Sequence, residues 1–205
     1  MSPTSETRSR IVQAAADLFL TKGYVPTGLS EIARRADARP GSIYHFFSTK
    51  EELLAAVLER YKAMIGPELL DPVWDGVDDP IERVFALLNG YRQMLAMTEF
   101  AQGCPIGNLA LEVCESHPNT RRLLQDNFDN WLRAVARCFE DANDRLPPDA
   151  DPQRLAVFVL TTMEGAVMLA RTYRDLRAYD AAIASLRDYV ERLIRAETSW
   201  NVQDP

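Results

Sequence analysis

Between Arg39 and His45 the chain reads RPGSIYH, and one helical face of this stretch carries groups able to bind a duplex. Arg39 offers a planar guanidinium, Ser42 and Tyr44 hydroxyls, His45 an imidazole, and Gly41 the absence of a side chain that permits close approach. Ile43, Phe46 and Phe47 fall on the opposite face, where burial is expected. Such groups bond phosphates and the base edges of a DNA groove. Pro40 suits the first turn of this helix, where a missing N–H costs nothing. Upstream, Leu29, Ile32, Ala33 and Ala36 are spaced three and four apart, which predicts a second short helix, with Asp37-Ala38-Arg39 as the turn. The pair reads as a helix-turn-helix, a geometry that also occurs in all-α proteins without nucleic acid.

The elements that must hold this pair follow the same periodicity. Residues 1–7 read as a disordered arm, and a first helix is expected from about Arg8 to Thr21, buried through Ile11, Ala14, Ala15, Leu18 and Phe19. Lys22-Gly23 should stop it, and Thr27 or Gly28 should cap the next helix. After Phe47, Ser48 and Glu51 fit a capping box opening a helix through Leu53, Leu54, Val57, Leu58 and Tyr61 to about Ile65. Lys50 falls in its first turn, unfavourably for the helix dipole; either an anionic phosphate explains it or it is a solvated lysine.

Charge is unevenly spread. The chain of 205 residues has a net charge of −7. Its first fifty residues carry seven Lys/Arg against four acids, so the surplus of acid lies entirely in the remainder. A basic head on an acidic body lets a phosphate backbone attract one end and repel the other. Cys104, Cys114 and Cys138, an odd number without paired spacing, suggest no disulfide framework, and with only His45 and His117 no zinc-ligand spacing appears. No metal or cofactor is expected. With no signal-peptide run at the start and no stretch of about 18 unbroken apolar residues, a soluble cytoplasmic chain without a membrane partner is expected.

The run IVQAAADLFLTKGYVPTGLSEIARRADARPGSIYHFFSTKEELLAAVLERY resembles the DNA-binding head of the TetR family of transcriptional regulators. AAxxLFxxKGY, TxLxxIA, GSIYHFF and SxKEEL follow in order at compact spacing, over about the first quarter of the chain. The resemblance implies a homodimer on a pseudo-palindromic duplex operator, one head per half-site, with a larger helical domain that binds a small effector. By the same resemblance Tyr44 and His45 would touch phosphate and groove edge, Lys50 phosphate, and Thr27 the backbone near the first reading helix. Ser30, Pro40, Gly41 and Ser42 complete the implied DNA-binding set. Two positions depart from the family pattern. Asp37 stands where Gly is usual, and Asp tolerates the left-handed region, so the turn should survive. Arg39-Pro40 replaces a small residue followed by Lys, which makes Arg39 the candidate for base readout, at guanine.

The remainder predicts more helices and therefore an all-α fold, divided as a 1–50 head and a 51–205 ligand-binding and dimerisation domain. Gly66 to Asp79 has no Lys or Arg and reads as a linker in which Trp74 is either a packed anchor or part of a lid. Asp79-Pro80 and Asp151-Pro152 each pair an N-cap with Pro at the first position. The first opens a helix with Ile81, Val84, Phe85, Leu88, Tyr91 and Leu95 inside. A short helix from Ile106 to Cys114 follows. From Pro118 runs one marked by Leu124, Phe128, Trp131, Val135 and Cys138/Phe139. The Leu155–Arg171 helix is apolar nearly all round, so burial on more than one side is expected, and a final helix from Tyr179 ends near Glu197 before a frayed tail. GCPIGNLALEV resembles a subgroup of the family that answers to multidrug or flavonoid-like aromatic compounds.

Effector candidates are Tyr61, Met64, Phe85, Leu88, Tyr91, Met94, Cys104, Asn108, Trp131, Val135, Phe158 and Thr162: apolar and aromatic side chains with a few polar groups, each taken singly reading first as plain core. Glu164, inside FVLTTMEGAVML, is either paired with Arg133 or Arg171 or a polar contact for the effector. Gly165, Ala166, Leu169 and Ala170, with Leu186, Val190 and Leu193, would form a two-fold interface, or ordinary packing within one chain. The expectation is a repressor released from its operator by a hydrophobic or aromatic effector. The competing reading is a helical enzyme or binding protein with a vestigial head.

Overall fold

The computed structural model describes residues 3–200, and every regular element among them is helical. The chain forms two compact units, Met1–Met64 with Cys104–Phe128, and Ile65–Gly103 with Asp129–Pro205. The boundary expected after residue 50 therefore cuts through the first unit, because Leu53, Leu54, Val57 and Leu58 share one buried cluster with Ile11, Phe19, Ile32, Ile43 and Phe47.

The first unit contains α1 (Pro3–Lys22), α2 (Leu29–Arg35), α3 (Pro40–Phe46), α4 (Lys50–Met64), α7 (Pro105–Val113) and the start of α8 (Pro118–Asp141). α1 begins five residues earlier than expected, so the arm read at 1–7 is helical from Pro3, and residues 1–2 lie outside the described chain. Gly23 stops α1 at φ +93°, its N–H donating to the Phe19 carbonyl. The cap of α4 sits one residue later than the capping box predicted. Thr49 Oγ1 accepts the Glu52 N–H at 3.1 Å, and the Glu52 carboxylate accepts the Ser48 N–H at 2.7 Å. Leu109, Val113 and Leu124 complete the core. Asn127 is buried there and donates to the carbonyls of Leu58 and Leu123.

In the second unit the stretch expected as a linker is helical: a π-helical turn, Ile65–Leu70, runs directly into α5 (Asp71–Trp74). Pro67 lacks the N–H that an α-helical register would use, and a widened turn accommodates it. Trp74 is an anchor, its indole N–H donating to the Arg83 carbonyl at 2.8 Å. α6 (Pro80–Met97) and α9 (Pro152–Tyr173) begin on Asp79 and Asp151, each accepting two backbone N–H groups. α10 (Arg177–Trp200) starts two residues before expected and packs along α9. The buried Tyr179 hydroxyl donates to Leu88 O at 2.6 Å, and Arg187 pairs with Glu82 while lying 3.8 Å from the Phe85 ring centroid.

α9 departs from its expected burial on several sides. Leu155, Ala156, Val159, Leu160, Met163, Ala166, Val167 and Ala170 are buried, whereas Val157, Phe158, Met168, Leu169 and Tyr173 are exposed. The helix is apolar on two sides, but the single chain covers only one.

Candidate nucleic-acid interface

The turn between α2 and α3 is set by backbone chemistry. α2 ends at Ala36, and Asp37 adopts φ +48°, as the Asp-for-Gly replacement requires. The Ala38 N–H donates back to the Ala33 carbonyl at 3.0 Å, and the Asp37 N–H to Arg34 O. These two bonds close a Schellman-type end that satisfies carbonyls α2 would leave orphaned. From α1, Arg10 reaches the Asp37 carbonyl at 3.4 Å. Arg39, in extended backbone, forms the N-cap of α3, and its carbonyl accepts the Ser42 N–H at 2.8 Å.

Ile43 and Phe47 anchor α3 in the core at 1% and 3% exposure, with the Arg8 guanidinium 5.1 Å from the Phe47 centroid. Phe46, expected inside, is only half-buried, and the His45 ring meets it edge-on at 4.9 Å. The opposite face is open. Ser30, Arg39, Gly41, Tyr44 and His45 are exposed, Ser42 is half-buried, and nothing lies within 4 Å of where a Gly41 Cβ would be. The backbone of Pro40 opens α3, while its side chain lies outside the described residues. α3 thus presents a guanidinium, two hydroxyls, an imidazole and accessible backbone on one side, the groups used to read a groove.

Two candidates depart from expectation. Thr27 is buried, and its hydroxyl donates to the Gly23 carbonyl at 2.6 Å, so it builds the α1–α2 turn and is not an open contact. Lys50 is half-buried and folded back on the chain. Its ammonium donates to the carbonyls of Tyr24 at 2.5 Å and Val25 at 3.3 Å and sits 4.2 Å from the Tyr24 ring centroid. Burial there lowers its pKa, with the Glu112 charge opposing the shift.

The effector candidates divide between the units. In the first, Cys104 is buried, Tyr61, Met64 and Asn108 are half-buried, and the Tyr61 hydroxyl donates to Ala16 O. In the second, Phe85, Leu88, Tyr91, Trp131 and Val135 are buried, and Met94 and Thr162 half-buried. Phe158 belongs to the surface instead: 43% exposed, it meets Tyr189 edge-on and lines a groove of about 480 Å³ with Arg154, Leu155 and Leu193. Trp131 is 5% exposed, and its indole N–H has no acceptor among the described residues. Arg171 threads past Gly103, where a Cβ would stand 2.9 Å from its Cδ.

The proposed interface set also separates. Ala166, Ala170, Leu186 and Val190 are buried within the chain, where small residues let α9 and α10 approach, as the alternative of packing within one chain expects. Gly165 and Leu193 are half-buried, and Leu169 is 37% exposed. Val157, Met168 and Tyr173, which the sequence reading did not single out, are exposed apolar side chains on the same helix.

Comparison with known proteins finds two family models along the chain. Residues 11–57 fit the model described as bacterial regulatory proteins, tetR family, and residues 80–186 the tetracyclin repressor-like C-terminal domain. A helix-turn-helix-type transcriptional regulator of Mycobacterium tuberculosis is 33% identical over 196 residues, spanning 88% of this chain and 92% of its own. The transcriptional repressor NemR of Escherichia coli is 25% identical over 90% of this chain and 94% of its own length. The crystal structure of a TetR transcriptional regulator from Chloroflexus aurantiacus superposes with a TM-score of 0.79 at 29% identity, covering 93% and 97% of the two chains. The head that presents α3 and the larger helical body are those of a ligand-responsive DNA-binding regulator, and the chain belongs to the TetR family.

Proposed function

We propose that the chain is a dimeric repressor whose two heads occupy half-sites of a pseudo-palindromic operator and release it when a small hydrophobic or aromatic effector binds the body. The observation that carries this reading is the exposed face of α3, with Arg39, Tyr44 and His45 outward and Ile43 and Phe47 buried beneath it. Arg39 reads a guanine, since its place at the N-cap puts a bidentate donor at the end of the helix that enters the groove. Repression is supported by NemR, a repressor matched over most of both chains. The exposed apolar side of α9, with Phe158, Met168, Leu169 and Tyr173, supplies the surface on which a second chain docks.

The effector reading rests on the buried aromatic side chains of the second unit and on the Trp131 N–H. A buried donor without an acceptor is costly, and a ligand oxygen or nitrogen would satisfy it. This favours an aromatic compound bearing at least one hydrogen-bond acceptor. As a repressor acting on duplex DNA, the protein works in the cytoplasm.

Selection of bound sequences from a random duplex pool tests the function and yields the operator together. An enriched inverted repeat is expected. Recovery of no enriched sequence, with no retention of duplex at low salt, would overturn the reading and favour a helical binding protein with a vestigial head.

A further inference from the structure

The turn between α1 and α2 is gripped by three side chains, two of them of opposite charge. From α7, Glu112 Oε2 accepts the Val25 backbone N–H at 3.0 Å. The same carboxylate lies against Gly23, where a Cβ would stand 2.7 Å from Oε1 and where φ is already +93°. His117, ahead of α8, meets the Tyr24 ring edge-on with centroids 5.2 Å apart, its Nε2 3.4 Å from the phenolic oxygen, while Ser116 Oγ lies 2.7 Å from the other ring nitrogen. From α4, Lys50 completes the enclosure through the Tyr24 and Val25 carbonyls. Two carbonyls and a ring face are neutral partners for an ammonium. Glu112, bonded to the N–H of the same Val25 whose carbonyl Lys50 holds, adds an opposite charge that counters the effect of burial on the ammonium.

We propose that Glu112 is an autoinhibitory counter-charge that holds Lys50 folded against Tyr24 and Val25, so that tight DNA binding requires the Lys50 ammonium to exchange these partners for a phosphate. The proposal deepens the DNA-binding reading and rests on it. A phosphate is a stronger acceptor than a carbonyl, so the exchange is favourable once Glu112 no longer opposes it. Glu112 also fixes Val25 three residues before Gly28, the N-cap of α2. Displacement of α7 would therefore act on the reading helices and on Lys50 through one side chain.

Glu112→Gln keeps an oxygen to accept the Val25 N–H while removing the charge. Bound to a random-sequence duplex at low salt, this variant should gain affinity by up to about fivefold, the scale of one partly exposed charge pair. In a Lys50→Met background the gain should vanish. An equal gain in both backgrounds would reduce Glu112 to a generic repulsive charge, and unchanged or weaker binding would reduce it to a structural brace; each overturns the proposal. Acetic anhydride labelling of Lys50 without DNA gives a second measurement, and Glu112→Gln should label faster than the parent. Equal labelling also overturns the proposal. If the parent protein binds no duplex, the DNA-binding reading fails by itself, while the labelling still reports whether Glu112 holds Lys50.

Discussion

α3 and α9 both leave one face uncovered, and the chemistry of those faces is opposite. α3 is seven residues long, too short to be stable alone, and persists because Ile43 and Phe47 bury beneath it and the Asp37 turn fixes its start. Its open face is polar, so it can stay hydrated until a polar partner arrives. α9 has 22 residues and a largely apolar inner side, yet its outer side carries large apolar side chains too, with Met168 at 57% and Tyr173 at 64% exposure. An uncovered apolar face is stable in water only when another apolar face covers it. The first face fits a reversible partner, the second a lasting one.

Breaking α9 should have the largest effect. Leu169→Arg places a charge on the uncovered side, where the single chain can still fold, and should give a monomer by sedimentation. Operator affinity should then fall by about 10²–10⁴-fold through lost bivalency. Ala166→Arg, one turn away but 2% exposed, should unfold the chain instead. A dimeric Leu169→Arg protein would show that the exposed stripe is not the contact.

The head allows the same contrast between neighbouring residues. Ile43→Ala should lower unfolding free energy by about 2–5 kcal/mol, as a large-to-small change in a packed core. Tyr44→Ala, at 64% exposure, should leave stability within about 0.5 kcal/mol while weakening duplex binding. Urea melts and titration with duplex separate the two. Similar losses of stability would mean that Tyr44 is part of the core and α3 has no free face.

What could be read in the sequence was local. Gly23 as a stop, Asp79-Pro80 and Asp151-Pro152 as starts, Asp37 in the left-handed region and the periodic burial of α6 each depend on residues within a turn or two. What could not be read depends on partners far along the chain. Lys50 in a first turn suggests an outward cation, and only the fold brings the Tyr24 and Val25 carbonyls beneath it. Asn127 looks like a polar residue on a helix surface until the Leu58 carbonyl is placed opposite. For α9, composition shows two apolar sides but not which one the chain covers, so from sequence Ala166 and Ala170 read either as contact with a second chain or as packing within one. Where the head ends is hidden for the same reason, since α4 packs into a core that includes α7 and α8.

A smaller effect distinguishes reading from anchoring within the open face of α3. Arg39→Ala should relax preference at one base position, at a cost of about 1–3 kcal/mol, while binding to random duplex changes little. Sequence selection with the variant checks this. Equal weakening toward specific and random DNA would make Arg39 a phosphate clamp.

The smallest effect expected is in the body, and it concerns pH. Asp79 accepts the Ile81 and Glu82 N–H groups at the start of α6, and both its oxygens bond the Arg145 guanidinium at 2.8 and 3.0 Å. Chiefly through Arg145, its carboxyl is held at about 2, against an ordinary value of 3.8. Between those values the unfolded chain binds more protons than the folded one, so stability rises with pH across the window. The contribution is complete above about pH 4 and is lost as pH falls towards 2. Because the side chain is 41% exposed, water screens the pair, and no more than about 1 kcal/mol is expected. Asp79→Asn keeps an oxygen for the helix cap but removes the charge facing Arg145. In urea melts, the gap between parent and variant should be widest at pH 7 and narrow at pH 2.5, where the unfolded parent has already taken up the proton. A gap of equal size at both pH values would assign the difference to the cap hydrogen bonds and leave the ion pair without a net contribution.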